Sequence, residues 1–193
     1  NDYFDETIFP ILTPLTFDPA HPFPHISNLS LSLAILTKDD ETEEPRFSRV
    51  KIPPNFPRLV PVGEENKYVP LERIIAANLN KLFPDVMVEG HWLFRVTRNA
   101  EVGKNEEVAE DLIEMIEEVL RERRFATVVR LDVERDMPER IRNLLKDELG
   151  VDEREIFNLE GPLDYRGFMD LTELNRPDLK LKTWTPQPHP RFN

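Results

Sequence analysis

Apolar and polar positions alternate with a period of two over Leu29, Leu31, Leu33 and Ile35, with Ser30, Ser32 and Ala34 between them. That period predicts a strand with one apolar face. Phe47 to Ile52 reads as a second strand, so the acidic run Asp39 to Glu44 becomes a hairpin tip. Pro53, Pro54 and Pro57 interrupt, and Arg58 to Val62 resumes as a short strand. The period then changes. Leu71, Ile74, Ile75, Leu79 and Leu82 share one helical face, from a start at Pro70 or Leu71 to a stop at Pro84. Trp92, Phe94 and Val96 alternate with Leu93, Arg95 and Thr97 as a strand. The longest predicted helix runs from about Glu106 to Arg124, with Val108, Leu112, Met115, Ile116 and Val119 as its stripe. Acids fill its first turn and Arg121, Arg123 and Arg124 its last, as the helix dipole prefers. Val128 to Val133 is a further strand, and Pro138 to Leu149 a helix with Ile141, Leu144, Leu145 and Leu149 inward and Gly150 as its stop. Ile156 to Leu159 reads as a last strand, and Phe168 to Leu174 as a short helix.

The two ends lack periodicity. From Phe9 to Pro24 apolar residues are broken by proline every few positions, which excludes a helix or a central strand. An extended segment, ordered and packed across a surface, is expected, and residues 1–27 form a proline-rich lead-in. Residues 176–193 form a proline-rich exit tail. The whole chain, 1–193, reads as a single α+β domain: a mixed, largely antiparallel sheet packed against about three helices. A faint helix–strand–helix–strand echo over 106–159 reads as two half-units at most.

Composition narrows the function. With 193 residues the chain has the size of one ordinary domain. Its 37 acidic and 25 basic residues give a net charge of −12, which repels phosphate backbones and argues against a nucleic-acid partner. There is no cysteine, so disulfides, thiolate zinc sites and cysteine nucleophiles are excluded together. No apolar run approaches the ~20 residues of a membrane-spanning helix and no signal peptide opens the chain. A cytoplasmic location is the expectation. The start at Asn1, without an initiator Met, suggests a piece of something longer.

Candidate chemistry is sparse. The six glycines are scattered, so neither a phosphate loop nor a dinucleotide fingerprint assembles. His21 and His25 are four apart, but Pro22 and Pro24 forbid the helix that would make them a metal pair. His91 sits at a strand start, His189 in the tail, and no orienting partner can be named for any histidine. Asp39, Asp40, Glu41, Glu43 and Glu44 lack the glycine and alternation of a calcium loop. Asp132, Glu134 and Asp136 are assigned to the solvent face of a strand, opposite Val129, Leu131 and Val133. Arginines stand out more. Arg95 and Arg98 flank apolar residues, and Arg123, Arg124 and Arg130 surround Phe125. Arginine suits phosphate or carboxylate, and in an acidic domain internal ion pairs are the favoured use. Arg98 falls on the apolar side with Phe94 and Val96, and at least one of Arg95 and Arg98 should pair with a carboxylate. No catalytic, cofactor-binding or metal residue is assigned. The Asn28-Leu29-Ser30 sequon is taken as a chance match.

Several blocks in order carry a family resemblance. Phe9 to Leu15, Asp18 to Pro24 and Ile26 to Leu31 resemble the start of the middle, or head, domain of bacterial polyphosphate kinase. Val50-Lys51-Ile52-Pro53, Pro57-Arg58 and the signature Phe94-Arg95-Val96-Thr97-Arg98-Asn99-Ala100 continue it. Arg123-Arg124-Phe125, Val129-Arg130-Leu131, Gly161-Pro162-Leu163 and Arg176-Pro177-Asp178-Leu179-Lys180 complete it. The resemblance implies a parent enzyme that moves the terminal phosphate of ATP reversibly onto inorganic polyphosphate. It implies a phosphohistidine intermediate and a need for ATP and magnesium. It also implies an amino-terminal domain before this segment, two catalytic domains after it, and dimer contacts through this domain in a homo-oligomer. The histidine and phosphate-binding arginines of the family lie in those later domains, so none is carried over. Two readings compete: a non-catalytic scaffold within the kinase, expected to be inactive alone, and a free-standing protein-interaction module that reuses the fold. A self-sufficient phosphatase or kinase is the weakest, because no nucleophile has a visible base.

Overall fold

The computed structural model describes residues 2–17, 23–39, 45–63, 66–99, 126–187 and 191. The predicted helix at 106–124, with Arg123 and Arg124, lies outside them, as do residues 40–44 of the acidic tip, His21 and His189.

Six strands form one sheet: β1 (Leu15–Phe17), β2 (Leu31–Lys38), β3 (Arg46–Lys51), β6 (Met87–Arg98), β7 (Val128–Glu134) and β8 (Ile156–Leu159). Their order is β1-β3-β2-β6-β7-β8, and every pair is antiparallel except β7 with β8. The parallel pair follows from a helical crossover, α3 (Glu139–Leu149), between the two strands. The α+β expectation holds, with the mixed sheet it specified. A small ribbon of β4 (Leu59–Pro61) and β5 (Tyr68–Pro70) stands apart; its second strand was not predicted.

Both faces of the sheet are covered, and the register assigns the residues. One face carries Leu31, Leu33, Ile35, Val50 and Leu93. It packs against Phe4 and Ile8, against Leu71, Ile75, Leu79 and Phe83, and against Leu163. The other face carries Ala34, Phe47, Phe94, Val96, Leu131 and Val133 and packs against Ile141 and Leu145 of α3 and against Ile26. Gly150 ends α3 in the left-handed conformation, φ 64°, with Val151 N–H bonded to the Lys146 carbonyl and Gly150 N–H to that of Asp147. Glycine adopts that conformation without Cβ cost.

Three expectations are corrected. The helix predicted over 70–82 is two short ones, α1 (Leu71–Ala76) and α2 (Leu79–Leu82), with a break at Ala77 and Asn78. Asn78 is outside helical geometry at ψ 19°, and its side-chain amide donates to the Ile74 carbonyl, a local competitor of the helix. The opening segment is not extended throughout. Phe4–Ile8 is a π-helical turn and Phe9–Ile11 a 3-10 turn with Pro10 in its first positions, where a missing N–H costs nothing. Phe4 and Ile8 are the residues this turn buries, whereas Phe9, Ile11 and Leu15 stay exposed. Farther along, Phe17 meets Phe23 edge to face and Phe23 stacks on Phe47, with ring centroids 5.4 and 5.7 Å apart. Finally, Val129 is 41% exposed rather than inward. β6 pairs Thr97 with Arg130 but Arg98 with Val128, so Val129 is the extra residue of a bulge and points out.

Candidate functional site

The register places Arg95 beside Asp132 on the α1 face of the sheet, between β6 and β7. Asp132 is only 3% exposed, so the expected solvent face of Asp132, Glu134 and Asp136 is overturned for its first member. A carboxylate there needs cations. Arg130 Nε donates to Asp132 Oδ1 at 2.7 Å, and Arg95 Nη1 lies 3.6 Å from Oδ2. Arg95 Nη2 also lies 3.9 Å from Asp164, which in turn accepts from Arg166 Nε at 2.9 Å. Arg130 covers the Phe157 ring at 4.1 Å. Burial works to raise Asp164, but the Arg166 hydrogen bond and the charges of Arg95 and Arg166 outweigh it and hold the carboxyl below its ordinary value. Glu134 is half-buried and accepts from the Leu93 N–H at 2.7 Å, with Arg73 at 3.6 Å.

A second cluster adjoins it. Arg58 follows Pro57 into β4 and points inward. Its Nη2 donates to Glu72 of α1 at 2.6 Å and to the Leu163 carbonyl at 2.5 Å. Nε shares the Glu72 carboxylate, and Nη1 donates to the Asp164 carbonyl. The guanidinium lies 4.9 Å from the Phe168 ring centroid. Arg58 thus joins the ribbon, α1 and the stretch after Leu163. A groove of about 600 Å³ opens beside it, with Lys51, Arg166, Asp164 and Asp170 on its walls.

The opposite face holds two further arginines. Arg49 is buried, donates to Ser32 Oγ and the His25 carbonyl at 3.2 Å each, and leaves Nη2 without a partner. Desolvation lowers its pKa to about 10. Arg98 does lie on the apolar side as expected, past the bulge. It donates from Nε to the Ile26 carbonyl at 2.9 Å and from Nη1 to that of Ala126 at 2.6 Å, and burial lowers its pKa. Its backbone N–H donates to Asn28 Oδ1 at 2.8 Å. Both arginines therefore hold down the backbone of residues 25–28.

The expectation that Arg95 or Arg98 pairs with a carboxylate is met by Arg95. Arg98 is satisfied by carbonyls instead. His91 lies on β6 beside Arg73 and Glu134, and His25 is exposed. Among the described residues, no group of three or more histidine and acidic side chains is placed to hold a metal, and no helix is long and apolar enough to cross a membrane. Sequence reading missed Arg49, Glu72, Asp164 and Gly167. For Glu72 there was a signal: it stands three before Ile75, one of the residues predicted to face inward from α1.

These inward arginines include Arg58, Arg95 and Arg98, all within the blocks that carry the resemblance. A sequence model described as polyphosphate kinase middle domain matches residues 1–171. The chain belongs to the polyphosphate kinase family. A polyphosphate kinase from Thermosynechococcus vestitus is 44% identical over 200 residues, covering all of this chain and 27% of the relative. One from Synechocystis is 42% identical over 204 residues, covering all of this chain and 28% of that protein. The crystal structure of polyphosphate kinase from Porphyromonas gingivalis matches the fold with a TM-score of 0.68 at 24% identity, over 97% of this chain and 26% of that one. The chain thus spans about a quarter of the length of these relatives and corresponds to the middle domain of a multidomain kinase.

Proposed function

We propose that this middle domain acts as the scaffold of a polyphosphate kinase and contributes no group to the transfer itself. The parent would move the terminal phosphate of ATP to polyphosphate and back through a phosphohistidine, with magnesium, on domains outside this chain. This domain would hold those parts in place and supply dimer contacts. The observation that carries the reading is where its arginines point. Arg58 and Arg95 are the residue type best suited to phosphate, yet they face inward onto Glu72, Asp132 and Asp164. Arg58 spends its donors on Glu72 and two carbonyls, Arg95 is turned in beside the buried Asp132, and a net charge of −12 repels a long polyanion.

The test is Arg95→Met in the full-length kinase, assayed well below its melting temperature. The scaffold reading expects a lower melting temperature with KM for ATP and for polyphosphate unchanged. A rise in either KM of tenfold or more at unchanged stability would make Arg95 a substrate contact and sink the reading. The 193-residue chain alone, given labelled ATP and magnesium, should form neither polyphosphate nor a stable phosphohistidine.

A further inference from the structure

We infer that Arg95 is a two-position latch between the sheet and the 3-10 stretch Tyr165–Glu173, closing on Asp132 in one position and on Asp164 in the other. The latch lies in this chain's own packing and does not depend on the scaffold reading.

The guanidinium of Arg95 sits between two carboxylates and reaches neither. Nη1 is 3.6 Å from Asp132 and Nη2 is 3.9 Å from Asp164. A charge-assisted bond of this kind closes to about 2.7–2.9 Å. Nε is buried and, among the described residues, has no hydrogen-bond partner to steady the head group. Moving to either acid therefore gains a full hydrogen bond and gives up only a loose contact. Neither acid depends on Arg95 alone. Arg130 donates to Asp132 at 2.7 Å, and Arg166 donates to Asp164 from Nε at 2.9 Å and from Nη2 at 3.2 Å. Arg95 can leave either one without stranding a buried charge, which is the step that makes breaking such pairs expensive.

The two acids belong to different parts of the fold. Asp132 is on β7, within the sheet, whereas Asp164 is the residue from which the 3-10 stretch starts. Asp164 is in the left-handed conformation, φ 59°, which a non-glycine residue keeps only where its surroundings hold it. Arg58 holds its carbonyl, and the groove of about 600 Å³ beside Arg58 runs along Arg166, Gly167 and Asp170. With Arg95 on Asp164, the start of the stretch is clamped to β6. With Arg95 on Asp132, Arg58 holds that start without it. Two discrete arrangements of one inward-facing cation make a bistable element, and small shifts at one end of such an element are passed to the other.

Hydrogen exchange with mass spectrometry on the full-length kinase decides, because a latch gives a sign that a fixed network does not. Asp132→Asn keeps an acceptor for Arg130 and withdraws the charge that draws Arg95 to the sheet. Arg95 should then close on Asp164, and the amides of Tyr165–Glu173 should exchange several-fold more slowly, measured against those of β2 in the same sample. Unchanged or faster exchange in that stretch overturns the proposal. Should Asp132→Asn fail to fold, Asp164→Asn provides the reciprocal test at a half-buried position. Its crystal structure should show Arg95 within about 3.2 Å of an Asp132 oxygen, a full hydrogen bond. A separation still near 3.6 Å overturns the latch. Neither readout involves turnover, so failure here leaves the scaffold reading standing.

Discussion

Gly167 lies so close against Arg58 that a Cβ at position 167 would stand 2.5 Å from the arginine's Cδ and 2.9 Å from its Cβ. The arginine stem cannot swing away, because its guanidinium is fixed by Glu72 and by two carbonyls. Gly167→Ala should therefore destabilise the domain by about 1–3 kcal/mol, the usual range for overpacking. In an Arg58→Ala background the Cδ contact is gone and only the 2.9 Å contact to the Cβ remains, so the same change should cost clearly less. Urea denaturation of the four proteins in a double-mutant cycle measures the coupling. An equal cost in both backgrounds would contradict the account.

Glu72→Ala leaves Arg58 charged, desolvated and short of its carboxylate. Breaking a buried pair from one side typically costs about 3–5 kcal/mol, and a loss of that size is expected in chemical denaturation. The pair between Lys81 and Asp5 is just as short at 2.5 Å, but both side chains are well exposed. Asp5→Ala should cost under about 1 kcal/mol. If the two losses were equal, burial would not be what gives the Arg58–Glu72 contact its weight.

Asp164 provides a pH signature. Its carboxyl is held below the ordinary value of 3.8, so folding favours the ionised form. The stabilisation is fully present above that unfolded value and is lost as pH falls through the lower folded one. Asp164→Asn keeps a residue type tolerant of the left-handed conformation seen there, φ 59°. Melting temperatures of the parent and variant should differ at pH 5 to 7, and the gap should narrow as pH falls below 3.8. A gap that persists unchanged at pH 2.5 would refute an electrostatic origin.

Arg49→Met keeps the stem's apolar bulk and removes the donors. It also removes a desolvated charge whose pKa has fallen to about 10, so the two effects oppose each other. Buried Ser32 Oγ loses its donor, at roughly 1–3 kcal/mol for an orphaned buried acceptor, and the part-buried His25 carbonyl loses Arg49 as well. The local consequence is the more decisive readout: residues 23–28 should be cut earlier in limited proteolysis, before the sheet is. Unchanged cutting there would show that Arg98 and Ile26 suffice to hold the segment.

Periodicity reported β2, β3, β6, β7, β8 and α3, with apolar positions such as Leu31, Leu33 and Ile35 in β2 or Ile141 and Leu145 in α3, but not the three-residue strands β1 and β5, too short to show a period. It failed where a single residue broke the count. The bulge at Val129 exchanges inside for outside over one step, and no local pattern announces it. The turn from Phe4 to Ile8 was hidden by the prolines that follow. Asp132 looked like solvent-face polarity because alternation reports which face a residue takes but not whether that face is covered. That one of Arg95 and Arg98 would pair with a carboxylate was legible, but the alternation pointed to Arg98, on the apolar side, and it is Arg95 that meets Asp132 while Arg98 bonds carbonyls. That Glu72 and Gly167 would meet around Arg58 depends on tertiary contacts between segments about a hundred residues apart, such as Arg58 with Leu163.

The seam between β2 and β6 joins positions far apart in the chain, with Lys38 opposite Met87 and Leu31 opposite Arg95. On a ribosome adding about 5–20 residues per second, β2 and β3 emerge several seconds before the strand that closes their open edge. During that interval the hairpin shows Leu33 and Ile35 beside unpaired backbone groups, the condition under which strands capture the wrong neighbour. The newborn hairpin is thus open to mispairing in the interval before residues 87–98 have left the exit tunnel.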